Sequence, residues 1–259
     1  MSGMLEINKL TKAFGGLRAV ADFDLDLKPG ELVGLIGPNG AGKTTVFNLI
    51  TGMYVPTTGS IKFQSNEIAG LRPHKIAELG ITRTFQNIRL FPELTVLDNV
   101  RVAYHFHTRC GLCDTFFRTR RFRAEESELR DKALEFLAIF GLETRHNEIS
   151  KNLPYGEQRR LEIARALVSG PQLLLLDEPA AGMNPFEVGR LMELISFIRD
   201  RFKLTILLIE HQMKVVMGIC ERVVVMDFGE VIAQGRPEQV QNDAKVIEAY
   251  LGKMNIGHK

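Results

Sequence analysis

The segment GPNGAGKT, residues 37–44, sets the strongest limit on the fold of this chain. It fits the pattern G-x-x-x-x-G-K-[ST] at every specified position. The residues before it, ELVGLIG (31–37), are typical of a short buried strand. The residues after it, KTTVFNLITG (43–52), predict a helix that ends near Gly52. The sequence therefore predicts a strand, a glycine-rich loop and a helix in direct succession, which is the context that the pattern requires.

The residue types of this loop suit a triphosphate. Its three glycines let the backbone curl so that N–H groups face phosphate oxygens, and the positive end of the following helix faces the same charge. Lys43 supplies a cation for the β- and γ-phosphates, and the hydroxyl of Thr44 is a ligand for Mg²⁺. The predicted phosphate-binding residues are Gly37, Pro38, Asn39, Gly40, Ala41, Gly42, Lys43, Thr44 and Thr45.

A second motif, LLLLDEP (173–179), has the apolar run of a buried strand followed by two acidic residues. Asp177 comes at the carboxyl end of this strand, where α/β sheets bind ligands. We expect Asp177 to hold Mg²⁺ through water. The adjacent Glu178 is the better candidate to orient or deprotonate an attacking water.

Two further polar residues lie where they can join this site. His211 ends the predicted strand TILLIEH (205–211) and is either a contact of the γ-phosphate or attacking water, or a structural histidine. Gln86, within RTFQNIRLF (83–91), is either a ligand of Mg²⁺ or water, or an ordinary surface glutamine. The sequence around either residue, taken alone, does not distinguish the functional role from the structural one.

Strand and helix patterns alternate at both ends of the chain. Predicted strands include GSIKF (59–63) and RVVVMD (222–227), and FEVGRLMELISFIRDRF (186–202) predicts a helix. From Leu94 to Phe140 the apolar spacing becomes helical. The alternation indicates an α/β fold with a parallel sheet and a helical insertion in the middle of the chain.

The net charge, the length of the apolar runs and the number of cysteines argue against several classes of protein. The net charge of +2 does not favour a dedicated nucleic-acid binder. Apolar runs such as LLLL (173–176) are far shorter than the roughly 20 residues of a membrane span. The first ten residues contain no apolar signal segment, and three cysteines do not suggest a disulfide framework. We therefore expect a cytoplasmic protein whose partners supply any membrane-spanning part.

These motifs, in this order from LTKAFGG (10–16) to IEAYLG (247–252), closely resemble the nucleotide-binding subunits of ABC transporters. The resemblance implies a P-loop NTPase cassette: a RecA-like core sheet, an N-terminal antiparallel β-subdomain and an inserted α-helical subdomain. It places the β-subdomain and core at 1–87 and 166–259, and the helical subdomain at about 88–165. It implies that Mg²⁺ and ATP are bound, with Thr44, Gln86 and Asp177 toward the metal. The other implied roles belong to Phe14 (adenine stacking), Gln86 (glutamine loop), Asp177 and Glu178 (Walker B), His211 (switch histidine) and AAGMNP, 180–185 (the loop toward the partner subunit).

The stretch NLPYGEQRRLEIARAL (152–167) stands at the family signature position, usually L-S-G-G-Q. The resemblance implies that Pro154, Tyr155, Gly156 and Glu157 bind the γ-phosphate of ATP held by a second subunit. A helix start with a glycine suits close approach to an anion. Pro154 has neither a hydroxyl nor an N–H, and Glu157 replaces the usual glutamine by a carboxylate. We therefore expect the site that this signature completes to hold or hydrolyse ATP less well.

Closer features, including YGEQRRLEIARAL (155–167) and LLIEHQMKVVMG (207–218), look like the larger ATPase subunit of high-affinity branched-chain amino-acid importers. That resemblance implies a second ATP-binding subunit, with a heterodimer favoured, two transmembrane permeases and an extracytoplasmic solute-binding protein. It places the chain at the cytoplasmic face of the inner or plasma membrane. Importers of urea or short amides, or of other amino acids, remain alternatives. A non-transport ABC ATPase acting on DNA or the ribosome usually has two cassettes or coiled coils, so no nucleic-acid partner is expected.

Two weaker patterns stay open. The family places the permease-docking groove at roughly 86–100, where apolar residues are either a docking surface or core; they are Leu90, Phe91, Leu94 and Val96. HFHTRCGLC (105–113) has residue types that suit zinc, although its spacing is unusually tight.

Overall fold

The computed structural model describes residues 3–104 and 120–251 of the 259-residue chain. The 105–113 cluster of His and Cys therefore lies outside the described residues. The chain divides into two compact units. The first comprises Met1–Gln86 and Gln172–Lys259, and the second comprises Asn87–Pro171.

In chain order the strands are β1 (Leu5–Phe14), β2 (Leu17–Leu27), β3 (Leu32–Ile36), β4 (Thr58–Phe63), β5 (Asn66–Glu67), β6 (Ile81–Arg83), β7 (Leu173–Asp177), β8 (Thr205–Ile209), β9 (Arg222–Asp227) and β10 (Glu230–Gly235). The helices are α1 (Lys43–Ile50), α2 (Pro73–Glu78), α3 (Val96–Tyr104), α4 (Arg120–Ile139), α5 (Tyr155–Leu167), α6 (Pro185–Phe202), α7 (Met213–Ile219), α8 (Pro237–Gln241) and α9 (Ala244–Leu251). Two 3₁₀ turns lie at Glu143–Arg145 and Ser150–Asn152.

The main sheet of the first unit has the strand order β10-β9-β3-β8-β7-β6. All neighbours are parallel except β10, which pairs antiparallel with β9. Every residue of β3, β7 and β8 is buried, as expected for parallel strands covered on both faces. The parallel order brings the carboxyl ends of β3, β6, β7 and β8 to one edge of the sheet.

A smaller antiparallel sheet, in the order β2-β1-β4-β5, belongs to the same unit. The second half of β2 alternates strictly: Phe23, Leu25 and Leu27 are buried, while the aspartates between them are exposed. This period of two explains why these residues form a strand with one face on the core. The chain thus has the α/β class, with the antiparallel subdomain that the resemblance implied.

The second unit is built on helices. Helix α4 presents Ala133, Leu137 and, just past its end, Phe140 to the interior at helical spacing. Val96 of α3 and Leu161 of α5 are also fully buried. Because the unit holds α3, α4 and α5, it supplies the helical middle that the apolar spacing predicted.

Three details differ from the sequence-based expectations. Strand β8 ends at Ile209, so His211 lies in the loop after the strand and not at its end. Strand β10 runs antiparallel, because a short hairpin at Phe228 and Gly229 joins it directly to β9. The three-residue strand β6 was not predicted, since three residues are too few to show a period. No helix within the described ranges is long and apolar enough to cross a membrane.

Candidate functional site

The glycine-rich loop joins β3 to α1 at the carboxyl edge of the main sheet. Gly37 and Gly42 have φ angles of +148° and +102°. A Cβ atom on Gly37 would lie 2.1 Å from the carbonyl oxygen of Met226, and one on Gly42 would lie 2.4 Å from that of Ala19. Glycine is therefore required at both positions by the backbone angle and by the space.

Lys43 begins α1 and folds back over the loop. Its Nζ donates hydrogen bonds to the carbonyl oxygens of Gly37 at 2.7 Å and Pro38 at 2.9 Å. The residue is 7% exposed, so the ammonium group is held close to the loop. Pro38 and Ala41 are buried, Thr45 is half-buried, and the exposed residues of the loop are Asn39, Gly40 and Thr44.

The C-terminal helix α9 reaches the same loop through Tyr250. Burial raises the pKa of this tyrosine, and the nearby carboxylate of Asp227 raises it further, while a backbone hydrogen bond from Gly37 acts in the opposite direction. The phenol thus lies beside the first glycine of the loop and remains protonated at neutral pH. The sequence had drawn attention to this terminal segment only as part of the resemblance.

Asp177, the last residue of β7, is 3% exposed and ion-paired. Nη2 of Arg83 donates to its Oδ2 at 2.6 Å, and Nη1 of the same guanidinium donates to Oδ1 of Asn48 in α1 at 2.7 Å. Sequence reasoning missed Arg83. The signal available was a charged residue three positions before Gln86.

Glu178 lies one residue beyond β7 in a left-handed conformation, with φ of +47°. A non-glycine residue in this region is strained, and such strain concentrates at functional sites. Nε2 of Gln86 donates a hydrogen bond of 2.9 Å to Oε2 of Glu178. Nδ1 of His211 lies 3.6 Å from the same oxygen. The structure therefore brings Gln86, Glu178 and His211 together, from the loops after β6, β7 and β8.

Glu210 organises two of these loops and was also missed. Its side chain is fully buried. Oε1 accepts from the backbone N–H of Ala180 at 2.8 Å, and Oε2 accepts from those of His211 at 3.0 Å and Gln212 at 3.2 Å. The carboxylate thus ties the loop after β7 to the loop after β8. A charged residue directly after the apolar run TILLI was the only sequence signal.

Phe14, at the end of β1, is 43% exposed. Its ring meets that of Tyr54 edge to face, with centroids 5.2 Å apart, and Nζ of Lys12 lies 5.0 Å from the Phe14 centroid. The exposed ring is therefore held in place while remaining available for stacking.

The signature stretch lies in the second unit and begins α5. Pro154 is the N-cap residue, and its side chain makes no capping hydrogen bond. The hydroxyl of Tyr155 accepts a hydrogen bond of 3.1 Å from Arg159, which is fully buried and paired with Glu162 at 2.7 Å. A buried ion pair therefore anchors the first turns of this helix.

Glu157, the residue that departs from the usual glutamine, is ion-paired. Its Oε2 lies 3.0 Å from Nε of Arg145, and its Oε1 lies 3.6 Å from Nη2 of Arg160. Two guanidinium groups thus offset the extra negative charge at the helix start. Pairing of this kind reduces the repulsion that the sequence alone suggested.

The apolar residues near the start of the second unit have different environments. Val96 is fully buried and belongs to the core, whereas Phe91 is 46% exposed. The backbone of Phe91 is fixed by Asn99, which accepts from its N–H at 2.9 Å and donates to its carbonyl at 3.1 Å. The guanidinium of Arg165 lies 5.5 Å from its ring centroid.

The donor set at the sheet edge suits Mg²⁺. The predicted ligands Thr44, Gln86 and Asp177 supply a hydroxyl, an amide and a carboxylate, all of them hard oxygen donors. No group of three or more His, Cys, Asp or Glu residues suited to a metal occurs among residues 3–104 and 120–251. A cation with few protein ligands completes its coordination with water and phosphate oxygens, which is usual for Mg²⁺ with a nucleotide.

A glycine-rich phosphate loop at the carboxyl end of β3, with two adjacent carboxylates at the carboxyl end of β7, defines a P-loop nucleotide-binding ATPase. Residues 20–181 match the family model described as ABC transporter. Residues 230–254 match the one described as Branched-chain amino acid ATP-binding cassette transporter. The chain is 50% identical over 250 residues to High-affinity branched-chain amino acid transport ATP-binding protein LivG of Escherichia coli (strain K12), covering 96% of this chain and 98% of that protein.

Solved structures of ATP-binding cassettes have the same fold as this chain. The ADP conformation of an ATP-binding cassette of an ABC transporter superposes with a TM-score of 0.84 at 29% identity, covering 97% of this chain and all of the other. A dimeric post-hydrolysis cassette bound to ADP and Pi gives 0.76 at 27% identity, covering 90% of this chain and 99% of the other. This chain therefore belongs to the ABC transporter family and is a nucleotide-binding ATPase of that family.

Proposed function

We propose that this chain hydrolyses ATP to power the import of branched-chain amino acids through partner permeases. The name of the E. coli relative and the C-terminal family match support the substrate class. The observation that carries the proposal is the convergence of Gln86 and His211 on Glu178, at the sheet edge where Lys43 closes the phosphate loop.

In this proposal the loop amides and Lys43 bind the β- and γ-phosphates, and Phe14 stacks on adenine. Lys43 meets phosphate by exchanging its bonds with the carbonyl oxygens of Gly37 and Pro38 for bonds with charged oxygens, and these carbonyls hold its ammonium group at the loop. Thr44, Gln86 and Asp177 hold Mg²⁺. The ion that these residues would hold would supply positive charge beside the phosphate oxygens.

Glu178 orients the attacking water and accepts its proton. Gln86 holds the carboxylate oxygen Oε2 at 2.9 Å, and His211 faces the same oxygen. Since a carboxylate held from one side presents its other oxygen in a fixed direction, these contacts orient the base.

The signature residues Pro154 to Glu157 serve a second cassette. At the start of α5 they meet the γ-phosphate bound by the partner in a head-to-tail dimer, where Gly156 permits close approach. The dimeric cassette that resembles this chain supports such pairing. We favour a heterodimer beneath two permeases at the cytoplasmic face of the membrane, with substrate delivered by an extracytoplasmic solute-binding protein and no nucleic acid involved.

Phe91 is the residue of the predicted docking segment best placed to meet a permease helix, because its ring is exposed on a backbone that Asn99 fixes. Helix-in-groove contacts use such apolar anchors. Val96, being core, serves folding instead. Replacing Phe91 by Asp should uncouple transport while leaving basal ATP hydrolysis intact; loss of folding would instead assign Phe91 to the core.

Reconstitution tests the whole proposal. The chain, a second cassette and two permeases are placed in vesicles with a solute-binding protein, and uptake of labelled leucine, isoleucine, valine and urea is followed. Branched-chain uptake should need ATP, should vanish in Lys43→Ala and should persist in the exposed control Lys62→Ala. Urea uptake without leucine uptake would overturn the substrate class. Full-speed hydrolysis by the isolated monomer would overturn the shared-site mechanism.

A further inference from the structure

The guanidinium of Arg83 makes two hydrogen bonds and two contacts with aromatic rings within the first unit. Its side chain is 6% exposed. One arm of the fork reaches Asn48 at 2.7 Å and the other reaches Asp177 at 2.6 Å, while Cζ lies 5.3 Å and 5.1 Å from the ring centroids of Phe47 and Phe85. Two rings and two hydrogen bonds therefore leave this group little freedom.

Through these contacts Arg83 links three elements of the first unit. Asn48 lies in α1, the helix that follows the phosphate loop, while Arg83 ends β6 and Asp177 ends β7. The next residue, Thr84, adds a backbone link, since its N–H donates to Leu175 at 2.9 Å. The end of β7 is thus held to β6 through both the main chain and the Asp177 side chain.

The pair with Arg83 uses Oδ2 of Asp177. Because a carboxylate is planar, fixing Oδ2 and the backbone also fixes the direction of Oδ1. Partners that orient a metal-binding group typically change metal affinity or activity by about 10–100-fold when they are removed. Arg83 can orient Asp177 in this way, because its rigid guanidinium binds Asp177 through one nitrogen and Asn48 through another.

We propose that Arg83 is a positioning residue for Mg²⁺ binding: it fixes the Asp177 carboxylate relative to α1. The proposal rests on the function above, in which Asp177 holds Mg²⁺. In this proposal Arg83 acts through Asp177, because its fork sets the orientation of the carboxylate that holds the metal. A lysine at this position keeps the charge but has only one nitrogen, so it cannot bond Asn48 and Asp177 in the same geometry.

The test measures nucleotide binding and not turnover. A fluorescent N-methylanthraniloyl-ADP is titrated into the full chain in EDTA and at increasing MgCl₂. Arg83→Lys and Arg83→Gln should each need at least about tenfold more Mg²⁺ for half of the metal-dependent gain in affinity. In EDTA, the nucleotide affinity of both variants should match that of the unchanged chain. The control Arg18→Lys, on an exposed residue of β2, should match the unchanged chain both in EDTA and in MgCl₂.

A wild-type Mg²⁺ requirement in Arg83→Lys would overturn the proposal, because charge alone would then suffice. An equal loss of affinity with and without Mg²⁺ would also overturn it, since the effect would then be general damage to the phosphate loop.

If both arginine variants fail to fold, Asn48→Ala is the decisive variant. It removes the hydrogen bond between Asn48 and Arg83 but leaves the Arg83–Asp177 pair. This variant should raise the Mg²⁺ requirement, and an unchanged requirement would overturn the proposal. Absence of any Mg²⁺ effect in the unchanged chain would instead overturn the proposed role of Asp177.

Discussion

Gln86 donates a hydrogen bond of 2.9 Å to Glu178, although 92 residues separate them in the chain. The contact exists because β6 and β7 are neighbours in the main sheet and both end at its carboxyl edge. It gives the proposed base a fixed orientation.

The first prediction concerns this pair. Glu178→Gln keeps the size of the side chain but removes the base, so turnover should fall by about 10²–10⁴-fold while ATP still binds. Gln86→Ala keeps the base but removes its orienting contact and a proposed Mg²⁺ ligand, so turnover should fall, though less than in Glu178→Gln. Steady-state phosphate release and equilibrium nucleotide binding measure the two properties. Glu238→Gln, on an exposed glutamate, is the matched control. Turnover of Glu178→Gln within a factor of about two of the control would exclude general-base catalysis by this residue.

The second prediction concerns the phosphate loop. Gly42→Ala places Cβ 2.4 Å from the carbonyl of Ala19 at a φ of +102°, so the loop must move. Gly15→Ala has a φ of +56° and nothing within 4 Å. We expect Gly15→Ala to cost about 1 kcal/mol, from backbone strain alone. Gly42→Ala should cost clearly more and should abolish nucleotide binding. Thermal unfolding and nucleotide titration compare the two; equal losses of stability would show that the contact with Ala19 does not matter.

The third prediction concerns the charge of Glu157. Among residues 3–104 and 120–251, removing Arg145 leaves this carboxylate with the more distant Arg160, so the helix start becomes more negative. In the assembled transporter, Arg145→Ala should raise the KM for ATP by roughly two- to fivefold, since a partly exposed pair contributes less than about 1 kcal/mol. Adding Glu157→Gln should restore the KM. If the two effects simply add in this double-mutant cycle, the pair does not control the charge at this site.

The fourth prediction concerns Cys220, which is 8% exposed. Burial raises the pKa of its thiol to about 12, with smaller contributions from the carboxylates of Glu210 and Glu221. The thiolate is the reactive form, so at pH 8 only roughly one molecule in ten thousand is reactive. In a chain with Cys110→Ser and Cys113→Ser, iodoacetamide labelling should be very slow when folded and rapid in urea. The native rate should rise about tenfold per pH unit below the folded pKa. Rapid labelling of the folded chain at pH 8 would contradict the buried environment.

Much of the site was predictable because its motifs are local. The sequence GPNGAGKT predicts its own loop, since glycine spacing, the preceding apolar strand and the following helix act over about ten residues. LLLLDEP likewise predicts a buried strand ending in acids. The assignment of the catalytic and binding residues themselves stays a prediction that the variants above test.

Other features had only weak local signals. Strand β6 is too short to show a period, and its place beside β7 gives Arg83 its partner. Glu210 follows an apolar strand and reads as an ordinary acidic strand end, yet it is fully buried among backbone N–H groups of two loops.

The sequence by itself determined the phosphate loop, the acidic strand end and the helical middle, because each depends on residues close together in the chain. It also determined the family resemblance, because that depends on the order of such local motifs along the chain. Only the tertiary structure decided which distant groups meet: Gln86 with Glu178, Arg83 with Asp177, and Arg145 with Glu157. The physical reason is that pairing between strands and packing between helices bring together residues far apart in sequence. The charge of Glu157, the feature that seemed least suited to phosphate, is offset by such a contact.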